Sequence, residues 1–240
     1  MPNALPPLQT FDRVESTLDV VHELAARGAV DGTLILAREQ LAGRGTRGRT
    51  WHSPLGGLWL SLLCRPREPV AAEVMGIRVG LAVADALDSL GGLPPIRLKW
   101  PNDIVLNDRK LGGALCEARW QGGALAYVAV GVGINVTNPL PEPVRATAIR
   151  LADVRPGVGP DELVGPLSVR LRALGAMGPS LTPAELAEFH RRDWLLGRRL
   201  LDPGIGIARG IRPDGALLLE RPDGESVAFR TGHVVLAGDG

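Results

Sequence analysis

Residues 110–136 read KLGGALCEARW, then QGG, then ALAYVAVGVGINV. Two β-rich runs flank Gln121-Gly122-Gly123, where glycine accepts a positive φ at little steric cost. The stretch therefore reads as an antiparallel hairpin, and it makes the chain a sheet protein. Just upstream, RLKW (97–100) stops at Pro101, and IVL (104–106) is followed by the turn Asn107-Asp108. Further upstream, TLILAR (33–38) reads as a strand and LWLSLLC (58–64) as a buried one, ended by Pro66 and Pro69.

Helices lie between these strands. Ser16 or Thr17 can cap one that runs to about Gly28, after a Pro-containing arm over residues 1–10. From Val70 to Leu90, the residues Val74, Ile77, Leu81, Ala84 and Leu87 recur at helical spacing. Glu73, Arg78, Asp85 and Asp88 are the polar residues between them, and Gly91-Gly92 stops the run. Shorter helical stretches are expected near 161–174 and 183–196. The last fifty residues change character. RRLL, GIARGI, GALLLE and SVAFR are short strands, with Pro-Asp-Gly at 213–215 and 222–224 supplying turn chemistry. A small, separate meander barrel is expected there, with the boundary between Trp194 and Arg198.

The 240 residues balance 27 Lys and Arg against 26 Asp and Glu, a net charge of +1. That argues against a molecule-wide footprint for DNA or an acidic membrane. No run of about 18 apolar residues is present, and the N-terminus lacks a signal-peptide pattern, so a cytoplasmic location is expected. Cys64 and Cys116 sit in apolar runs without metal-site spacing and read as buried thiols. His22, His52, His190 and His233 are scattered, no Ser sits in a nucleophile elbow, and no His/Cys spacing suits zinc.

Three segments can carry chemistry. GRGTRGRTW (43–51) packs three glycines and three arginines into nine positions. Glycine lets backbone amides approach an anion, and Arg forks onto phosphate oxygens. Arg44, Arg47 and Arg49 cannot all face one way on a strand, so a loop folding over a ligand suits them. A solvated or RNA-touching basic loop is the plainer alternative. In LKWPNDIVLNDRKLGG (98–113), Lys99 or Lys110 can hold a phosphate or carbonyl oxygen, and Asp103 can hold Mg²⁺. Exposed hairpin lysines and a turn-capping Asp are the commoner fates. In GVGINV (131–136), the glycines suggest close backbone approach by a ligand that Asn135 could hydrogen-bond. A β-bulge with a turn Asn reads equally well. A cationic, glycine-rich site with Lys and Asp suits a reaction at phosphorus.

In order, EST (15–17), Gln40 before AGRGTRGRTW (42–51), LKWPNDI (98–104), RKLGGALCE (109–117) and GVGIN (131–135) resemble the biotin protein ligases. GIARGIRPDGALLLE (206–220) resembles that family's small C-terminal domain. The resemblance runs from about residue 11 onward. About ten residues precede it, too few for a winged helix-turn-helix, so it is to the ligase-only form without operator binding.

The resemblance implies an α+β fold: a mixed-sheet catalytic domain of the class II synthetase and biotin–lipoyl ligase type over 1–195, and an SH3-like β-barrel over 196–240. It implies ATP-dependent formation of biotinyl-5′-AMP and transfer of biotin to a lysine of a carboxyl carrier domain, as in acetyl-CoA carboxylase. Lys110, Arg44 and Asp103 are then catalytic, with Asp103 the candidate Mg²⁺ ligand. Ser16, Thr17, Leu18, Gln40, Arg44, Gly45, Thr46, Lys110, Gly112 and Gly131 are assigned to biotin. Arg47, Arg49, Trp51, Lys99, Asn102 and Asn135 are assigned to ATP, although Trp51 could simply anchor the loop. Neither DNA nor a membrane is expected as partner, and a homodimer is left open.

Two positions depart from the family pattern. Leu18 stands where S-T-N is usual, removing a polar contact to the biotin head. Thr46 stands where the loop usually has its second Arg, which predicts looser retention of the adenylate. The loop 40–57 is expected to be mobile without ligand and ordered with it. Rival readings are a lipoate or octanoyl ligase or transferase, and a non-catalytic nucleic-acid-binding protein.

Overall fold

The computed structural model describes residues 6–69 and 73–237. It opens with β1 (Leu8–Val14), α1 (Thr17–Ala26), β2 (Leu34–Gln40) and β3 (Leu58–Cys64). α2 (Met75–Asp88), β4 (Arg97–Lys99), β5 (Asp103–Leu106), β6 (Arg109–Gln121) and β7 (Ala124–Ile134) follow. Then come α3 (Asp161–Arg172), α4 (Pro183–Arg192), β8 (Arg199–Asp202), β9 (Gly206–Ile211), β10 (Leu217–Glu220), β11 (Ser226–Phe229) and β12 (Val235–Leu236).

Two sheets result. The first has seven strands in the order β1-β2-β3-β7-β6-β5-β4. It is mixed, because β1 runs parallel to β2 while the other pairs are antiparallel. The second has five antiparallel strands, order β11-β10-β9-β8-β12. The fold is therefore α+β with a second, smaller sheet. β8 to β11 form the expected meander, and β12 adds a strand on the far side of β8.

Local chemistry explains most boundaries. The hairpin joining β6 to β7 turns at Gly122 and Gly123, with φ of +56° and +82°, the two left-handed residues such a two-residue turn needs. Ser16, extended at φ −151°, accepts from the Leu18 N–H and so caps α1. Every residue of β3 is buried, because the sheet is covered on both faces. On one face Leu58, Leu60 and Leu62 meet α2 and α3 in the main core. On the other, Ile35, Leu63 and Ala129 meet Leu18 and Val21 of α1.

Several expectations change. Residues 8–10, read as the end of an arm over 1–10, instead open edge strand β1, because the extended backbone finds β2 to pair with. The long helix begins at Met75; the start expected at Val70 lies outside the described residues. Arg78, read as a polar-face residue, is buried. Its guanidinium donates to the Glu185 carboxylate at 2.7 Å and to the carbonyls of Gly178 and Ser180, the pairing a buried cation requires. Cys64 is buried and Cys116 partly so, and burial pushes both thiols up to about 12. Among the described residues no helix is long and apolar enough to cross a membrane.

The second sheet leans on the first. The indole of buried Trp100 donates to the Gly215 carbonyl at 2.9 Å, and the Trp194 N–H donates to the Leu98 carbonyl at 2.9 Å. Leu200, Leu217 and Leu219 belong to the same apolar cluster as α2.

Candidate functional site

A cavity of about 300 Å³ opens on the α1 face of the seven-stranded sheet. Strands, a helix start and a glycine-rich loop surround it, and most of the sequence-selected residues converge there. Ser16, Thr17, Leu18, Gln40, Arg44, Gly45, Thr46 and Arg49 line it, with Trp51, Asn102, Asp103, Lys110, Gly131 and Asn135.

One end is polar and built at the N-terminus of α1. The Gln40 carboxamide oxygen accepts from the Thr17 N–H at 2.8 Å and from the Thr17 hydroxyl at 2.9 Å. These amide and hydroxyl groups suit an uncharged polar head. Beside them, Leu18 packs towards Gly131, where an added Cβ would lie 3.2 Å from the Leu18 side chain. Gly131 is thus small because α1 presses on β7.

The middle is cationic. Lys110 Nζ lies 2.5 Å from an Asp103 carboxylate oxygen and 5.3 Å from the centre of the Trp51 ring. Arg44 reaches Asp19 at 2.7 Å and Glu117 at 3.3 Å. Burial works against the Arg44 charge, but Asp19 and Glu117 outweigh it and hold the guanidinium above its usual range. Burial likewise opposes the charge on Glu117, yet His22 at 2.7 Å and Arg44 hold that carboxyl below the usual range.

The glycine-rich loop folds as a small hairpin over the cavity. The Gly45 N–H donates to the Arg49 carbonyl at 2.7 Å, and the Trp51 N–H to the Gly43 carbonyl at 2.8 Å. Arg47 and Gly48 form its tip, with φ of +60° and +71°. This geometry sorts the arginines. Arg44 and Arg49, on the two legs, line the cavity; Arg47, at the tip, is exposed and does not. Arg49 donates to the Thr46 hydroxyl at 3.1 Å. The Trp51 indole lies against Gly133, where an added Cβ would fall 2.4 Å from Nε1. That indole N–H is buried without a hydrogen-bond partner.

Two further assignments fall outside the cavity. Lys99 stands over the Trp194 ring at 5.1 Å, because β4 is the edge strand beside the second sheet. Gly112 does not line the cavity: a Cβ there would strike the Gly133 carbonyl at 2.5 Å. Its neighbour Gly113 does, since successive strand residues face opposite sides. Asn102 donates its amide to the Ala114 carbonyl, and Asn135 accepts from Asn138 at 3.1 Å.

Sequence reading missed Asp19, Glu117, Asn138 and the wall formed by Leu140, Val144 and Ala148. Glu117 stood inside a quoted motif, and its charge in an apolar strand was the available signal. The wall segment carries no such mark.

The protein family model described as "Biotin/lipoate A/B protein ligase family" matches residues 10–135. The biotin–[acetyl-CoA-carboxylase] ligase of Paracoccus denitrificans is 33% identical over 246 residues, covering 90% of this chain and 95% of that one. The ligase of the same description from Mycobacterium tuberculosis is 35% identical over 243 residues, covering 94% and 88%. The structure of biotin protein ligase from Aquifex aeolicus in complex with biotin and ATP superposes with a TM-score of 0.77 at 26% identity, over 96% of this chain and 98% of that chain.

Proposed function

The chain belongs to the biotin/lipoate A/B protein ligase family, and from that premise we propose that it is an ATP-dependent biotin protein ligase. It joins biotin to ATP and then transfers the biotinyl group to a lysine of a carboxyl carrier domain. The observation that carries this reading is the single cavity in which the Thr17–Gln40 end and the Lys110–Arg44 cations face one another.

The chemistry needs that arrangement. In the first step a biotin carboxylate oxygen attacks the α-phosphorus of ATP, forming biotinyl-5′-AMP and expelling pyrophosphate. Two anions must meet, so cations have to offset their repulsion before in-line attack. Lys110 is the group we place between carboxylate and α-phosphate. Arg44, held upright by Asp19 and Glu117, is the loop contact to both. In the second step the carrier amine attacks the acyl carbon, and AMP leaves with the C–O electron pair. The loop hairpin over the cavity keeps water from the mixed anhydride.

Ser16, Thr17 and Gln40 offer the donors and acceptors that a ureido ring uses, and such a site rejects an alkyl acid lacking them. This favours biotin over lipoate or octanoate. Arg49, Trp51, Asn102 and Asn135 serve the nucleotide end. Among the described residues no group of three or more His, Cys, Asp or Glu is placed to hold a metal ion. Mg²⁺ held by Asp103 alone would take its other oxygens from the triphosphate, its ordinary habit. Residues 1–195 form the catalytic domain in this reading, and 196–240 an SH3-like unit. The partner is the carrier domain of acetyl-CoA carboxylase or a related carboxylase.

Biotin-dependent exchange of pyrophosphate into ATP, followed by mass spectrometry of a carrier domain, tests the proposal. One biotinyl group on one carrier lysine is expected. Exchange driven by lipoate or octanoate and not by biotin would replace it with the rival ligase.

A further inference from the structure

Ser53 lies outside the cavity and is 3% exposed. Its hydroxyl is nevertheless the link between the polar end of the cavity and the loop above it. The Gln40 amide nitrogen donates to Ser53 Oγ at 2.7 Å, and Ser53 Oγ donates to the Trp51 carbonyl at 3.0 Å.

The direction of every bond in this chain is forced. A backbone N–H only donates, so the Gln40 atom facing the Thr17 N–H is the oxygen, and the amide nitrogen faces Ser53. Ser53 accepts there, which leaves its proton for Trp51, whose carbonyl only accepts. The Thr17 hydroxyl spends its proton on Gln40, so Ser61, 2.7 Å away, donates to Thr17. The result is a one-way chain from Ser61 through Thr17, Gln40 and Ser53 to the Trp51 carbonyl. Bonds in such a chain polarise one another, and no member can flip alone.

The packing leaves no slack at its far end. A Cβ on Gly43 would lie 2.6 Å from Ser53 Oγ and 2.4 Å from the Trp51 carbonyl oxygen. The Gln40 N–H also donates to the Ser53 carbonyl at 2.9 Å, so both ends of the loop are tied at one point. Trp51 in turn sits against Gly133 and beneath Lys110.

We infer that Ser53 is a positioning residue: it fixes the orientation of the Gln40 amide and couples occupancy of the polar end of the cavity to the set of the loop that carries Arg44 and Trp51. This rests on the biotin ligase reading, because the ligand taken at the polar end is biotin.

Three measurements test it on the full chain: biotin-dependent pyrophosphate exchange, hydrogen exchange over 43–51 with biotin alone, and thermal melting. In the native protein, biotin without ATP should slow exchange over 43–51. In Ser53→Ala, biotin KM should rise about tenfold, the loss of one or two hydrogen bonds, with kcat changed much less. At saturating biotin the loop of that variant should no longer gain protection. A purely structural role would lower the melting temperature and leave the biotin-induced protection intact, which overturns the inference. If Ser53→Ala does not fold, the native protein alone decides: biotin-dependent catalysis without protection of 43–51 by biotin overturns the inference and leaves the ligase reading standing. Absence of any biotin dependence overturns both.

Discussion

Replacing Lys110 with alanine separates chemistry from stability. The ammonium lies 2.5 Å from Asp103, and the two side chains are 33% and 25% exposed. An ion pair this open to solvent contributes at most about 1 kcal/mol to folding. For a chain of this size that is a melting shift of about 2–4 °C. In the reaction, the same ammonium faces charge developing between carboxylate and α-phosphate. Removing one such donor from an enclosed site costs about 10²–10³ in rate, or about 2.7–4 kcal/mol. Lys110→Ala also uncovers the Asp103 carboxylate, which then repels the triphosphate. The double variant with Asp103→Asn removes that charge but also the proposed Mg²⁺ ligand, so it should stay at least as impaired as Lys110→Ala. The assay is biotin-dependent pyrophosphate exchange beside a thermal melt. Exchange by Lys110→Ala within about threefold of native would refute the assignment; so would full recovery in the double variant.

Three other substitutions probe the cavity. Gly133→Ala places a Cβ 2.4 Å from Trp51 Nε1; overpacking of this kind costs about 1–3 kcal/mol, and a native melting temperature would count against the packing described. Thr46→Arg should slow release of biotinyl-5′-AMP by restoring a cation to the loop, and equal release rates would dismiss Thr46 as a cause of loose retention. Glu117 has its folded pKa held below the ordinary 4.5, so its pairing adds stability above that value and loses it as pH falls through the folded pKa. Glu117→Gln should therefore flatten the acid side of the stability curve, and superimposable curves below pH 4.5 would show that the pairing with His22 and Arg44 contributes nothing.

Local signals were strong where the physics is local. The Gly122-Gly123 turn, the boundaries of β3 and the serine cap of α1 all follow from backbone preference and hydrophobic period. The loop over 43–51 was legible as a cationic, glycine-rich segment, and Arg44 and Arg49 line the cavity. Arg47 does not, because a hairpin tip at φ +60° turns it outward. Strand β1 and the burial of Arg78 were illegible, since each depends on a partner far along the chain. Gly112 and Lys99 lie outside the cavity for the same reason: which face a strand residue takes depends on register, not composition.

The amino-acid sequence by itself set the elements, the turns and the charged, glycine-rich loop, because dihedral preference and periodicity act over a few residues. The tertiary structure decided which of those residues share a cavity. The order β3-β7-β6-β5 brings Ser61, Gly131, Gly113 and Asp103 to neighbouring strands. The helix start at Thr17 then closes one end and Lys110 the middle. Convergence of groups about a hundred positions apart is a property of sheet order and register, which arise only when the chain buries its apolar faces together.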